Sequence, residues 1–254
     1  MQKEFVDKHT TQWVSGPLKN LVPDDVESDF KKMMSTANKL VSRFENLKYP
    51  KPQQVAGSIK KQLADFKDSL PIIRAFCNPG LMQRHIDEIV DKTMLQIPEG
   101  QKITDLKMDY IKGFGISEHK NTIDEISETA SKEYGNLKTM AKMNEDWEPL
   151  EFACRAVPEK ESYILDGEAV ELIQTILDDH IIKTQTMKGS PFAKFMLPKI
   201  EVWEKMLMRT QENLDLWLKV QSTWMYLQPV FSSEDIINQM PVEGRKFKEV
   251  NISW

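Results

Sequence analysis

Residues 198–228 read PKIEVWEKMLMRTQENLDLWLKVQSTWMYLQ, and the period of this stretch decides the fold. Ile200, Leu207, Leu214 and Gln221 fall on one row seven residues apart, and Trp203, Thr210, Trp217 and Trp224 on another. A step of seven is close to two helical turns, so each row follows one face of a single helix. At 1.5 Å per residue that helix is roughly 45 Å long. Met206, Leu216, Leu218 and Met225 make its apolar surface too wide for a two-stranded seam, which places it in a bundle. Pro229 is expected to end it, and the tryptophans are expected to pack in the core.

Helical period extends upstream through most of the chain. Between residues 24 and 47, Phe30, Met33, Met34, Ala37, Leu40, Val41 and Phe44 recur at steps of three and four. Asp24 and Asp25 after Pro23 supply capping chemistry at its start. Pro50 and Pro52 are expected to break the pattern. A second helix then runs from about Gln53 towards Leu70, with Val55, Ile59, Leu63 and Phe66 on one stripe, before Pro71 interrupts or restarts it. A third is expected at Asn78, a good N-cap, followed by Pro79 at the first helical position. Its inner face would be Leu81 (or Met82), Ile86, Ile89 (or Val90) and Met94.

Ser117 to about Asp146 reads as a long helix with Ile123, Ile126, Ala130, Tyr134, Leu137 and Met140 (or Ala141) on its stripe. Gly135 inside it costs on the order of 1 kcal/mol relative to alanine and marks a place where it can bend. The period then changes to two. Leu150, Phe152, Cys154 and Ala156 alternate with Glu151, Ala153, Arg155 and Val157, and a turn around Pro158-Glu159-Lys160 leads into Ser162-Tyr163-Ile164-Leu165. This is a β-hairpin pattern. After Asp166-Gly167 helical spacing returns at Ala169, Ile173, Ile176 (or Leu177), His180 and Ile181, until Gly189-Ser190-Pro191 stops it. The expected class is mainly α: an elongated multi-helix bundle with one small β-hairpin. Residues 1–116 would form an N-terminal helical bundle, and 117–254 the long helices with the hairpin near 150–166.

The 254 residues are 40% hydrophobic and 29% charged with a net charge of −5, which fits a folded chain and argues against nucleic acid as a partner. No apolar run approaches the ~20 residues of a membrane span. The two cysteines, Cys77 and Cys154, lie far apart without metal-ligand spacing and read as reduced thiols.

Chemistry-bearing constellations are scarce. Gly113-Phe114-Gly115 and Gly244-Arg245-Lys246 lack the glycine–lysine spacing of a phosphate cradle. Asp178-Asp179-His180 is the tightest group of metal-ligand types, but helical neighbours point about 100° apart and do not converge on one ion. Ser190, Ser232 and Ser233 have no nucleophile-elbow context, and Glu125 and Glu128 read as a solvated face, as do Lys60, Lys61 and Arg245-Lys246. No catalytic, cofactor-binding or metal-binding residue is expected.

Three segments carry a resemblance. They are Leu177-Asp178-Asp179-His180-Ile181-Ile182-Lys183-Thr184-Gln185-Thr186-Met187-Lys188-Gly189-Ser190-Pro191-Phe192, then Trp217 through Phe231, then Ser232-Ser233-Glu234-Asp235-Ile236-Ile237 on to Gln239-Met240-Pro241. Together they closely resemble the linker region (N-terminal region 2) of dynein heavy chains. Asn78-Pro79-Gly80-Leu81, Arg84-His85 and Tyr163-Ile164-Leu165 resemble the family's upstream signature and hairpin. Ile86 departs from the tryptophan the family usually places after the Arg-His pair. Pro229 and Ser232-Ser233-Glu234-Asp235 look more like axonemal than cytoplasmic dyneins.

The resemblance implies a mechanical linker, or lever. It would pass ATP-driven changes in a ring of AAA+ modules to the tail for microtubule-based movement. It implies no cofactor in this segment, with ATP and Mg in the downstream ring. The implied partners are that ring, the tail and accessory dynein chains, and microtubules indirectly, with no nucleic acid and no membrane. The implied setting is the cytoplasm and cytoskeleton, in the axoneme of a cilium or flagellum. Two punctuated junctions are the expected docking or bending surface: Thr184, Gln185, Met187, Gly189, Ser190 and Pro191, and Ser232, Ser233, Glu234 and Asp235. The competing expectation is a static helical scaffold or tethering module that binds protein partners.

Overall fold

The computed structural model describes residues 2–158 and 162–254. Among these residues the regular structure is eleven α-helices, one two-stranded antiparallel sheet and short 3-10 and π segments. The mainly α class with a single hairpin is therefore what the structure shows. The chain divides into two compact units, Met1–Gly135 and Asn136–Trp254.

In the first unit, α1 (Gln2–Phe5) runs into a π-helical stretch, Val6–Val14. Phe5, His9 and Trp13, four residues apart, share its inner side. Phe5 stacks on His9 at 4.6 Å and Trp13 on Phe66 at 5.4 Å. Neither ring nitrogen of His9 finds a hydrogen-bond partner there, and burial, helped by the Lys112 charge, lowers its pKa to about 4. There follow α2 (Pro23–Asn46), α3 (Pro50–Phe66), α4 (Ser69–Phe76), α5 (Gln83–Thr93), α6 (Met108–Lys112) and the opening turns of α7 (Lys120–Trp147). Val26, Phe30, Met33 and Ala37 of α2 face Ile59, Leu63 and Phe66 of α3 in one core with Ile72, Ile73, Phe76, Ile89 and Ile123.

Several local expectations are corrected here. Pro23 opens α2 at its first turn, and no side chain caps that end. Asp24 instead accepts from Arg74 Nη2 at 2.9 Å, and Glu27 does so at 2.7 Å. The break before α3 falls at Lys48, whose φ of 58° is left-handed, while Pro50 starts the next helix rather than preventing it. Ala56, not Val55, completes the α3 stripe, and Val55 is exposed. Asn78 caps no long helix. Its Oδ1 accepts from Gly80 N at 2.8 Å and its Nδ2 donates to Ser127 O and Ser131 Oγ, tying a turn to α7. The turn sits so close that a Cβ on Gly80 would lie 2.5 Å from Ala130 O. Met94 is exposed as the left-handed cap of α5, and Leu95 takes the buried place expected of it. His85 is buried, with Nδ1 accepting from Met82 N at 3.1 Å and Nε2 lying 2.9 Å from Glu133 Oε2; Arg84 pairs with the same carboxylate.

The second unit starts with the remainder of α7. Strands β1 (Cys154–Ala156) and β2 (Tyr163–Leu165) pair antiparallel with Arg155 opposite Ile164. Glu159 and Lys160, where the turn is expected, lie outside the described residues. Asp166 caps α8 (Gly167–Lys188) by accepting from Glu168 N and Ala169 N at 3.1 and 3.2 Å. A 3-10 turn, Pro191–Met196, leads to α9 (Leu197–Val230), then α10 (Glu234–Gln239) and α11 (Pro241–Ser253). Pro229 sits in the last turn of α9, not beyond it. The α9 row Ile200, Leu207 and Leu214, with Trp203, packs on Val170, Ile173, Leu177 and Met187 of α8 and on Met143. Gln221, the polar member of the row, accepts from Leu165 N at 2.7 Å and so holds the hairpin to α9.

Candidate docking and bending surface

The two junctions singled out by sequence both lie in the second unit, and they differ in kind. Thr184 to Lys188 form the last turns of α8 rather than a polar loop. Thr184 is buried, donating to His180 O at 2.6 Å, and Met187 is core. Gln185, Gly189 and Pro191 remain exposed, with Ser190 half-buried. Gly189 keeps helical backbone angles, so the stop does not use a left-handed glycine. Ser190 makes it instead: its Oγ accepts from Phe192 N at 3.3 Å and starts the 3-10 turn. Lys188 Nζ reaches Glu204 at 2.6 Å, fastening the end of α8 to α9.

Behind this corner lies a polar pair within the core. Trp147 Nε1 donates to His180 Nδ1 at 3.0 Å, which leaves the imidazole proton on Nε2, 3.5 Å from Asp146 Oδ2. Burial holds the His180 pKa below its ordinary value against the pull of Asp179 and Asp146. A neutral, doubly engaged histidine is a packing element, and Asp178 and Asp179 point out to solvent, where Asp179 pairs with Lys183 at 2.6 Å. Cys77, in the first unit, is equally quiet: burial pushes its thiol up to about 11. Among the described residues no group of three His, Cys, Asp or Glu side chains is placed to hold a metal ion.

At the second junction, Ser232 donates to Gln228 O at 2.7 Å, Ser233 stands at the start of α10 without a side-chain cap bond, and Glu234 and Asp235 occupy its exposed first turn. α10 turns the chain so that α11 lies back along α9. Phe231 stacks on Phe247 at 5.1 Å and Trp224 on Trp254 at 5.2 Å, and Trp224 Nε1 donates to Asn251 Oδ1 at 3.0 Å. This antiparallel hairpin leaves an open apolar groove of about 710 Å³ between its helices, lined by Leu216, Val220, Leu227, Phe231, Phe247 and Val250 among others. The sequence reading stopped at Pro241 and missed α11. Its signal was present, since Met240, Phe247 and Trp254 continue the spacing of seven. Trp217, expected in the core, is 41% exposed and stacks on Phe152 at 6.3 Å. A further cleft of about 850 Å³ lies in the first unit, and Arg74, which lines it, is already committed to Asp24 and Glu27.

Comparison with known proteins bears on this arrangement. The family described as "Dynein heavy chain, N-terminal region 2" matches residues 2–254. The chain is 39% identical to dynein axonemal heavy chain 3 of Mus musculus over 251 residues, 99% of this chain and 6% of that protein. It is 31% identical to dynein axonemal heavy chain 1 of the same species over 242 residues, covering 95% of this chain and 6% of the relative. Dynein axonemal heavy chain 12 of Homo sapiens is 50% identical over 129 residues, 51% of this chain and 4% of its own length. The chain thus spans about 6% of the length of the first of these relatives.

Proposed function

Since the chain belongs to the dynein heavy chain N-terminal region 2 family, we propose that it works as a lever: a mechanical linker that transmits ATP-driven change in the heavy chain's AAA+ ring to the tail and so to microtubule-based movement in an axoneme. The observation that supports this most is α9. It runs 34 residues, and its apolar row from Ile200 to Leu214 is sunk into a core shared with α8. A helix so held resists bending, because any curvature must open a close-packed interface. Force transmission needs that stiffness together with a surface whose two arrangements differ by only a few kcal/mol. The exposed residues Gln185, Gly189, Pro191 and Ser232 to Asp235 are the proposed docking or bending positions. ATP turnover belongs to other parts of the heavy chain, and the accessory chains and the ring are its partners in this reading.

The test is made in a full-length heavy chain carrying this segment. Glycine at the exposed α9 positions Val202, Lys205 and Met208 softens the rod at a cost of about 1 kcal/mol each while sparing the core. Microtubule gliding velocity should fall while ATP turnover persists. Unchanged velocity in a helix shown to be softened would remove the lever reading. The static scaffold is the second reading, favoured by the open α9/α11 groove, and it expects that unchanged velocity.

A further inference from the structure

Charge is spread unevenly over the first unit. Residues 30–64, which hold most of α2, the turn after it and most of α3, contain eight lysines and arginines against one acid, Glu45. That is a net +7, whereas the remaining residues of the unit carry −7. Lys31 and Lys32 are answered by Glu27 and Asp29, one helical turn upstream. Lys39, Arg43, Lys48, Lys51, Lys60 and Lys61 are exposed, and none of the six has an ion-pair partner among the described residues. The α2/α3 core is apolar and needs none of them.

A run of charge alone is an ordinary solvated face, but this one surrounds a cleft. Asn38, Ser42 and Asn46, at steps of four along α2, line an open hollow of about 660 Å³ together with Lys39, Arg43 and Leu47. The two asparagines and the serine are exposed and make no side-chain hydrogen bond among the described residues. The hollow thus offers neutral donors beside two cations. Leu47 at its end and Tyr49 in the turn are exposed apolar side chains.

We infer that this cleft on α2 is a docking site for an acidic segment of a separate polypeptide, bound in extended form along the helix. Lys39 and Arg43 stand about 6 Å apart along the axis at 1.5 Å per residue. Alternate side chains of an extended segment are roughly 6.6 Å apart, so carboxylates two residues apart meet both cations. Asn38, Ser42 and Asn46 donate to the segment's carbonyls, and an apolar side chain beside the acids covers Leu47 and Tyr49. Lys48 and Lys51, in and just after the turn, steer the segment in. Size and charge favour a peptide over a larger polyanion. From Asn38 to Leu47 the cleft is roughly 14 Å long, room for about four extended residues. A bilayer or a nucleic acid reaches beyond it and meets the unit's surrounding negative charge. The inference rests on the charges and cleft of the first unit and is independent of the lever reading.

Fluorescence anisotropy tests it, with the 254-residue chain titrated into a labelled synthetic peptide that carries glutamates at alternate positions beside one leucine. Saturable binding that weakens as salt rises is expected. Lys39→Glu combined with Arg43→Glu should weaken it by about tenfold or more, and Lys48→Glu combined with Lys51→Glu by about threefold, mainly through slower association. Lys199→Glu, at an exposed cation of α9, should leave it unchanged. All five positions are exposed, and unchanged helical circular dichroism checks that each variant folds. No saturable binding, or an equal loss on Lys199→Glu, overturns the proposal. Tighter binding of phosphatidylserine vesicles or of a single-stranded oligonucleotide, abolished by the same reversals, overturns the polypeptide in favour of that polyanion. Equal binding of a peptide of the same composition with its glutamates grouped at one end overturns the extended register.

Discussion

The two halves of α9 carry the same repeat and meet opposite fates. From Leu197 to Leu214 every member of the seven-residue rows except Thr210 is buried, because α8 and the end of α7 lie against it. From Leu216 onward the repeat continues, yet Trp224 alone of the α9 residues is buried, and Leu216 is 60% exposed. A periodic apolar stripe therefore reports that a helix has a face to bury and says nothing about whether the partner is present. α11 meets the second half through Trp224 and Phe231, and the apolar groove between the two helices remains open.

The largest effect should separate the halves directly. Leu207→Ala removes a side chain that is 2% exposed and should cost about 2–5 kcal/mol, read as a fall in thermal midpoint. Leu216→Ala, the same change nine residues on at a position 60% exposed, should stay within about 0.5 kcal/mol. Equal losses would show that the second half is packed in solution and would dissolve the contrast.

Acid should sharpen it. The folded state holds His180 below its unfolded pKa of 6.5, so the unfolded chain binds more protons just under that value. Stability contributed by neutral His180 is fully present above pH 6.5 and is lost as pH falls below it. Hydrogen exchange of α8 and the first half of α9 should therefore accelerate with acid more than that of α11, and His180→Leu should flatten this dependence. His9→Phe is used as the background, because His9, held to about 4 in the other unit, responds in the same direction.

The smallest effect falls at the border between the halves. Gln221→Ala removes the acceptor for Leu165 N and should cost about 1 kcal/mol, with faster exchange confined to the β1–β2 hairpin. Loss of protection along the whole of α9 would mean that Gln221 sets the packing of the helix rather than the attachment of the hairpin.

Elements whose evidence is periodic were legible from residues alone: α2, α7, α8, the first half of α9, and the hairpin where the period drops to two. What was not legible depends on a neighbour distant in sequence. Asn78 has the composition of a helix cap, but Ser127 and Ser131 on α7 claim its amide. Val55 and Ala56 fit the same stripe, and only the fold shows that Ala56 is the buried one. Trp217 has the spacing of a core residue but stacks on Phe152 and stays 41% exposed. Of the ten junction residues named in advance, Thr184 and Met187 are buried because α8 continues past the point where polar composition suggests a loop. α11 escaped notice because its repeat is diluted by Glu243, Lys246 and Lys248, charges that a surface helix places between apolar positions.

Gly135 gives α7 a bare backbone where the two units divide, and it is exposed. Two residues earlier, Glu133 is gripped by Arg84 and His85 from α5. Within the first unit a single α7 carboxylate thus answers two basic side chains of α5, so replacing Glu133 would loosen both of those contacts at once.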